Sequence, residues 1–388
     1  MQETILFLSD GGLHVCKDNS VVQHKSVVYE IYKQRVKEIK QKNDWKTSGT
    51  GAKFMGQGLA FDFEPDLSSQ KPNINGISLC ADGRVAYSLN LEKTGGIYLK
   101  DLRNPDEKEF TVAVDTTISF HELDVNEEDN IIVSVAENHF ERHLALLHVN
   151  DSDYKLLTEG DSFDSNPKWS EKNRDTVYYD SCGIAYDDNG NFLAYGPKSI
   201  YRLDTKNKNL DEVLAEDRFD FYSPYEDQHG NLFYIKRPYK GNRPDPPSLT
   251  DFLTAPFKIL GAIGGWLNFF TMRYSGQSLK TSGKNPALSP KKTPEEIFID
   301  GNLLKAEKNL KQSIRMGEKN PGYVPSNWEL IMRTPSGEEK ILKKGVLSYC
   351  VIPGGKVLYS NGQYVVALED GNREKRVAKV HLATKLAK

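Results

Sequence analysis

One pattern constrains this chain more than any other. A tight turn rich in Gly, Asp and Asn is followed, four residues on, by an aromatic inside an alternating apolar run. Gly83 leads to Tyr87 in ADGRVAY, Asp175 to Tyr179 in RDTVYY, Gly230 to Tyr234 in HGNLFY and Gly355 to Tyr359 in GGKVLY. Glu3 leads to Phe7 in ETILF, while Asn130 leads to Ser134, which changes residue type but keeps the strand pattern. The unit is an apolar strand, a turn and a second strand, and it occurs six times.

The intervals say what the unit belongs to. Anchors 83, 130 and 175 lie 47 and 45 residues apart, close to the roughly 40–50 residues of a four-stranded propeller blade. The 55 residues from 175 to 230 accommodate an extra hairpin in CGIAYDDNGNF. The longer gaps, 3 to 83 and 230 to 355, each require an insertion within one blade. Blades stacked in a ring bury faces that none could bury alone and leave only short edges. The expectation is an all-β, six-bladed β-propeller of four-stranded blades with two mainly helical insertions, spanning 1–388 as one domain. A C-terminal strand near Val380–Thr384 is expected to complete the blade begun by residues 3–25.

SNPKWS at 165–170 with TVYYD at 176–180, and SLCADGRVAYSLN at 78–90, resemble the TolB-like, WD40-like six-bladed propeller superfamily. The resemblance covers about two-thirds of the chain, leaving out the insertions. It implies a fold and is nearly silent on function, because propellers are scaffolds for many activities. Many TolB-like proteins are exported. Here MQETILFLSDGG lacks a basic leader region, and its apolar run is only Ile5–Leu8, so the expected compartment is cytoplasmic. Cys16, Cys80, Cys182 and Cys350 form no C-x-x-C pair and read as strand thiols in a reducing compartment.

Charge separates the ring from its insertions. Residues 25–58, in the first blade, carry 8 Lys/Arg and 3 Asp/Glu. Residues 236–325 carry 15 and 7, with the fifth-blade insertion itself set at 239–325. With −3 on the whole chain, −16 falls on the rest. Basic appendages on an acidic body point to an anionic partner, either a protein or a membrane surface. Helical spacing of Val28, Ile31 or Tyr32, Arg35–Val36 and Ile39 predicts an amphipathic helix over 27–42. The following SGTGAKFMGQG lacks the G-K-[S/T] of a phosphate loop and reads as a linker.

In the second insertion, Leu249–Tyr274 has a nearly continuous apolar surface, and a polar helix is predicted over Leu303–Met316. The run Ile259–Leu267 is far short of the ~20 residues a spanning helix needs. The segment therefore packs on the propeller or a second subunit, or docks on a partner or membrane surface. In the docking reading the protein is peripheral to a membrane, and the contact residues are Phe252, Phe257, Lys258, Leu260, Trp266 and Phe270.

Catalytic motifs are scarce. HFERH, from His139 to His143, is not H-E-x-x-H and lies between strands, where the two rings would not share a helix face. DDNGN at 187–191 is a hairpin turn rather than a calcium loop. The stronger constellation comes from the fold: first strands of blades face the axis, so equivalent positions converge. Counting back eight or nine residues from the anchors gives Asn75, His121, Glu122, Asn166 and Tyr222, with Glu64 as a loop candidate. These are axial ligand or metal candidates, and oxygen ligands of this kind suit Ca²⁺. Gluconolactonase-type six-bladed lactonases look similar, with Glu, Asn and Asp around an axial metal, but their N-terminal Glu and catalytic Asp have no clear counterparts here.

The favoured expectation is thus a non-enzymatic binding propeller with no cofactor, docking through its basic insertions. The alternative is a metal-dependent, lactonase-like hydrolase at the axial channel, using calcium. Nucleic acid is excluded as a partner because the basic stretches lack interleaved aromatic platforms.

Overall fold

The computed structural model describes residues 4–240 and 297–387, apart from 18–19, 48–72, 92–93, 105–106, 139, 300–301, 353–354 and 370–372. Among these residues lie six antiparallel sheets, each built on a path of four strands. Blade two is β4 (Asn73–Leu79) to β7 (Phe110–Asp115), with β5 at Arg84–Leu91 and β6 at Thr94–Asp101. Blade three runs from β8 (Ser119–Val125) through β9 (Asn130–Ala136) and β10 (His143–His148) to β11 (Lys155–Leu156). Blade four holds β12 (Ser162–Trp169), β13 (Thr176–Tyr186), β15 (Ser199–Asp204) and β16 (Leu210–Leu214), with β14 (Phe192–Tyr195) pairing the far end of β13. Blade five holds β17 (Phe219–Glu226), β18 (Leu232–Pro238), β21 (Glu329–Arg333) and β22 (Glu339–Lys344). Blade six is β23 (Ser348–Ile352) to β26 (Arg373–Lys379), through β24 (Lys356–Ser360) and β25 (Tyr364–Glu369).

Blade one closes the ring. β1 (Ile5–Ser9), β2 (Gly12–Lys17) and β3 (Ser20–Gln23) come from the N-terminal region, and the innermost strand is β27, Lys385–Ala387. β27 pairs β1 through Leu6↔Ala387, Phe7↔Leu386 and Leu8↔Lys385. The closing strand lies just beyond the expected 380–384. That stretch is the crossover from blade six, where Leu382 has φ 51° and its N–H bonds to Gly362 O at 2.9 Å.

The six anchors explain the repeat. Gly83, Gly230 and Gly355 have φ of 85°, 79° and 80°, the left-handed turn that glycine adopts without a Cβ penalty. Four residues on, Phe7, Tyr87, Ser134, Tyr179, Tyr234 and Tyr359 all sit buried on the second strand of their blades. Strand alternation then sends one face to each neighbouring blade. The core is accordingly a ring of six clusters. Leu8 meets Val85 between blades one and two, Ala86 meets Val133, and Leu144 meets Val177. Ile200 meets Tyr234, Ile235 meets Tyr359, and Leu358 meets Phe7 where the ring closes.

The first insertion begins with α1, Val27–Thr47, which continues past the expected Lys42. Its start is fixed by capping: Tyr29 N–H bonds to Ser26 Oγ at 3.3 Å, and Val28 N–H to Glu109 Oε2 at 3.0 Å. Tyr29 is buried against Leu8, Val85 and Tyr87, whereas Ile31 is 47% exposed. In the fifth blade, Leu303 and Leu304 belong to a hairpin of β19 (Ile297–Ile299) and β20 (Asn302–Leu304). The helix there, α2, is Ala306–Arg315, shorter than the expected 303–316. Trp328 and β21 return the chain as the third strand of the blade. Glu64, Phe252, Phe257, Lys258, Leu260, Trp266, Phe270 and the rest of 241–296 lie outside the described residues. No helix among the described residues is long and apolar enough to cross a membrane.

Candidate functional site

The inner strands of blades two to five share an irregularity. Register slips between Ile74 and Gly76, Phe120 and Leu123, Ser165 and Lys168, and Tyr222 and Tyr225. Each slip is a β-bulge, a device that re-aims side chains. The residues it releases are Asn75, His121–Glu122, Asn166–Pro167 and Ser223–Pro224. Asn166 and Ser223 have φ of 51° and 54°. Proline after each removes an N–H that the interrupted ladder could not use. The strands approach closely here, and a Cβ on Gly76 would stand 2.5 Å from His121 O.

The bulges surround a channel of about 970 Å³, lined by inner strands of all six blades and by the turns at 126–128, 170–174 and 227–231. Asn75 Nδ2 donates to His121 Nδ1 at 3.2 Å, leaving the ring proton on Nε2, 3.0 Å from Ser119 Oγ. Burial, with the Arg142 cation adding, pushes His121 down to about 3, so the imidazole is neutral at ordinary pH. Glu122 Oε2 accepts from Arg142 Nη1 at 3.1 Å, and its Oε1 lies 3.7 Å from Lys385 Nζ. Burial alone would raise the Glu122 carboxyl, but Lys385 and Arg142 outweigh it and hold the group at about 2. Arg142 is itself held 4.4 Å over the Phe163 ring.

Asn166 joins this group through Lys385, whose Nζ donates to Asn166 Oδ1. The amide Nδ2 donates in turn to Asp180 Oδ2 at 2.7 Å, and Ser223 N–H donates to the same oxygen at 2.9 Å. The other Asp180 oxygen accepts from Ser165 Oγ and Lys198 Nζ, both at 2.5 Å. One step along the channel, Asp124 accepts from Ser78 Oγ at 2.9 Å, Lys168 Nζ at 2.6 Å and Trp169 N–H at 3.0 Å.

The structure thus links Glu122 with Asn166 through Lys385 and pairs Asn75 with His121. Tyr222 is placed elsewhere. It is buried between blades five and six, with its ring 6.1 Å from Trp328 and the Arg237 guanidinium 4.3 Å above it. The residue in Asn166's register position is Ser223, whose carbonyl accepts from Tyr349 Oη at 2.6 Å. Sequence reasoning missed Lys385, Arg142, Asp124, Lys168 and Asp180. The signal for Lys385 was available: a lysine opens the short apolar strand KLA that the ring needs as an inner strand. Among the described residues, no group of three or more His, Cys, Asp or Glu side chains is arranged to hold a metal ion.

The chain superposes on TolB from Acinetobacter baumannii with a TM-score of 0.50 and 10% identity, over 99% of this chain and 65% of that one. It therefore spans a little under two-thirds of the TolB chain. A nidogen/laminin complex gives 0.48 at 8% identity over 99% and 97% of the two chains, and the tricorn protease 0.45 at 12% over 96% and 33%. No protein-family model matches the sequence, and no curated protein matches it. The fold is a TolB-like six-bladed propeller. At 10% identity that likeness bears on nothing but the fold.

Proposed function

We propose that this is a non-enzymatic binding propeller that docks an acidic protein partner through its basic first insertion. The root of α1 carries the reading. Ser26, Tyr87 and Glu109 interlock there, with Ser26 Oγ 3.0 Å from Tyr87 Oη and 3.2 Å from Glu109 Oε2, and His24 Nε2 3.1 Å from Glu109 Oε1. Burial alone would raise the Glu109 carboxyl, yet bonds from His24, Tyr87 and Val28 hold it below the usual range. A helix of 21 residues, about 31 Å at 1.5 Å per residue, is thereby anchored by its first turn to an acidic ring. Arg35 and Lys37 are exposed on it. A pre-set basic helix suits charge-steered docking, which supplies specificity and on-rate.

Over the helix residues whose side chains are described, 27–38, Val27 and Ile31 are the exposed large apolar ones. This reading takes a protein partner before a membrane. The channel supports a binding role rather than calcium-dependent hydrolysis, because a divalent ion between Glu122 and Asn166 would have to displace the Lys385 ammonium. A cytoplasmic location remains part of this reading.

The test reverses the charge of Lys33, Arg35 and Lys37 to Glu and compares co-purification of a partner at low and high salt, without cross-linking, with the unmodified protein. A partner lost on reversal and released by salt supports the reading. Equal capture by both proteins ends it, and so does co-sedimentation with anionic vesicles in the absence of any protein partner.

A further inference from the structure

The hydrogen-bond capacity of the channel neck is unbalanced. Asp180 accepts four bonds, from Ser165, Lys198, Asn166 and the Ser223 N–H. Asp124 accepts three, and Glu122 is held by Arg142 and Lys385. The ammoniums are less engaged. A lysine carries three donors, yet among the described residues Lys168 Nζ bonds only to Asp124 and Lys385 Nζ only to Asn166. Their side chains are 34% and 28% exposed, and both line the cavity. Charge leans the same way. At the neck itself Lys198 matches Asp180, and Arg142, Lys168 and Lys385 face Glu122 and Asp124, while Glu127, Glu128, Glu171, Asp227 and Glu369 line the rest of the cavity.

We propose that this neck binds the carboxylate of a small, singly charged organic acid with an apolar body. One carboxylate would take up donors that Lys168 and Lys385 turn to the cavity, where cations outnumber the acids only at the neck. A second charge would meet an acidic ring carrying −16 outside the insertions. The apolar body has a surface to lie on, since Leu79, Val125, Leu342 and Val351 line the wider part and none is fully buried. At about 970 Å³ the cavity falls at the upper end of small-molecule sites, which hold a few placed polar groups in apolar walls. His121, neutral and turned to Asn75 and Ser119, adds no competing charge.

Octanoate is the probe, with octan-1-ol and inorganic phosphate as separate arms, titrated calorimetrically into the full chain. Octanoate is expected to bind 1:1 and to raise the melting temperature as site occupancy requires. Octan-1-ol and phosphate are each expected to bind at least tenfold more weakly. Lys168→Met and Lys385→Met are expected to weaken octanoate at least tenfold, and Lys385→Arg to restore it. If Lys385→Met fails to fold, Lys168→Met carries the test, because Asp124 keeps Ser78 and the Trp169 N–H. The charge-reversed α1 variant is expected to bind octanoate as the unmodified protein does, which separates this site from the docking helix. Equal affinity for octan-1-ol or phosphate, no octanoate binding, or undiminished binding by folded Lys168→Met would each overturn the proposal.

Discussion

Blades two to five and blades six and one make the same four-stranded sheet but differ at the axis. The former bulge their inner strands at Asn75, His121–Glu122, Asn166–Pro167 and Ser223–Pro224, and of these residues Glu122, Asn166, Pro167, Ser223 and Pro224 line the channel. β23 and β27 pair without any register shift, and they contribute Tyr349 and Lys385 from straight strands. The four bulged blades display polar groups at a cost in ladder bonds, while the two straight ones close the ring and reach across. The difference teaches that the repeat alone builds the ring, whereas departures from the repeat build the channel.

The largest effect expected from this comparison follows from cutting the bulged blades at their most buried charge. Asp180→Ala leaves the Lys198 ammonium buried without its carboxylate and frees Asn166 and the Ser223 N–H. Breaking a buried pair in this way costs about 3–5 kcal/mol. In the straight blades, Ser348→Ala removes one bond to Ala383 O, worth about 1 kcal/mol. Urea unfolding of both variants reads the contrast, and equal losses would dissolve it.

Acid comes next, being silent near neutral pH. His121 stays neutral in the fold down to about 3, while in the unfolded chain it takes up a proton below its ordinary 6.5. Stability therefore falls as pH drops from 6.5 towards 3. Glu122, held at about 2 against an ordinary 4.5, contributes stability above 4.5 that is lost as pH falls towards 2. His121→Gln should flatten the upper window and leave the lower one. A variant with an unchanged slope between pH 6.5 and 4.5 would show that the ring is not the group titrating.

The smallest effect concerns the backbone. Ser223→Gly relieves a positive φ of 54°, and a left-handed conformation costs a side-chain-bearing residue about 1–2 kcal/mol. The substitution should be neutral or stabilising by about 1 kcal/mol. Asn166→Gly at φ 51° relieves the same strain but loses the bonds to Asp180 and Lys385, so it should destabilise. If both behave alike, the two bulges are not distinguished by their side chains.

The ring was legible because five blades rest on the same local chemistry, and Phe7 keeps the buried position in the sixth. A glycine or Asx turn and a buried residue four positions later can be read from spacing alone. The axis was only half legible. Counting reached Asn75, His121, Glu122 and Asn166 correctly as strand positions, but in blade five it landed on Tyr222 rather than Ser223. A bulge adds a residue that a fixed count cannot see, and the count of eight or nine was already the trace of it. Lys385, Lys168 and Asp124 were missed because their meaning depends on which strand is innermost and which blade lies opposite. That information is tertiary. The length of α1 beyond Lys42 carried little periodic signal, since Asn43, Asp44, Lys46 and Thr47 flank a lone Trp45.

Closure through three residues has a consequence for how the protein is made. Blade one lacks its inner strand until Lys385–Ala387 have been synthesised, long after β1, the strand it pairs with. At 5–20 residues per second, roughly 20–75 s separate the two. For that time Ile5–Ser9, all five residues buried in the finished ring, present an unpaired edge to whatever strand comes first. The same interval applies to Ser9 Oγ, which donates to His381 O, 372 residues away. Misassembly during synthesis, rather than instability of the completed ring, is the hazard this topology carries.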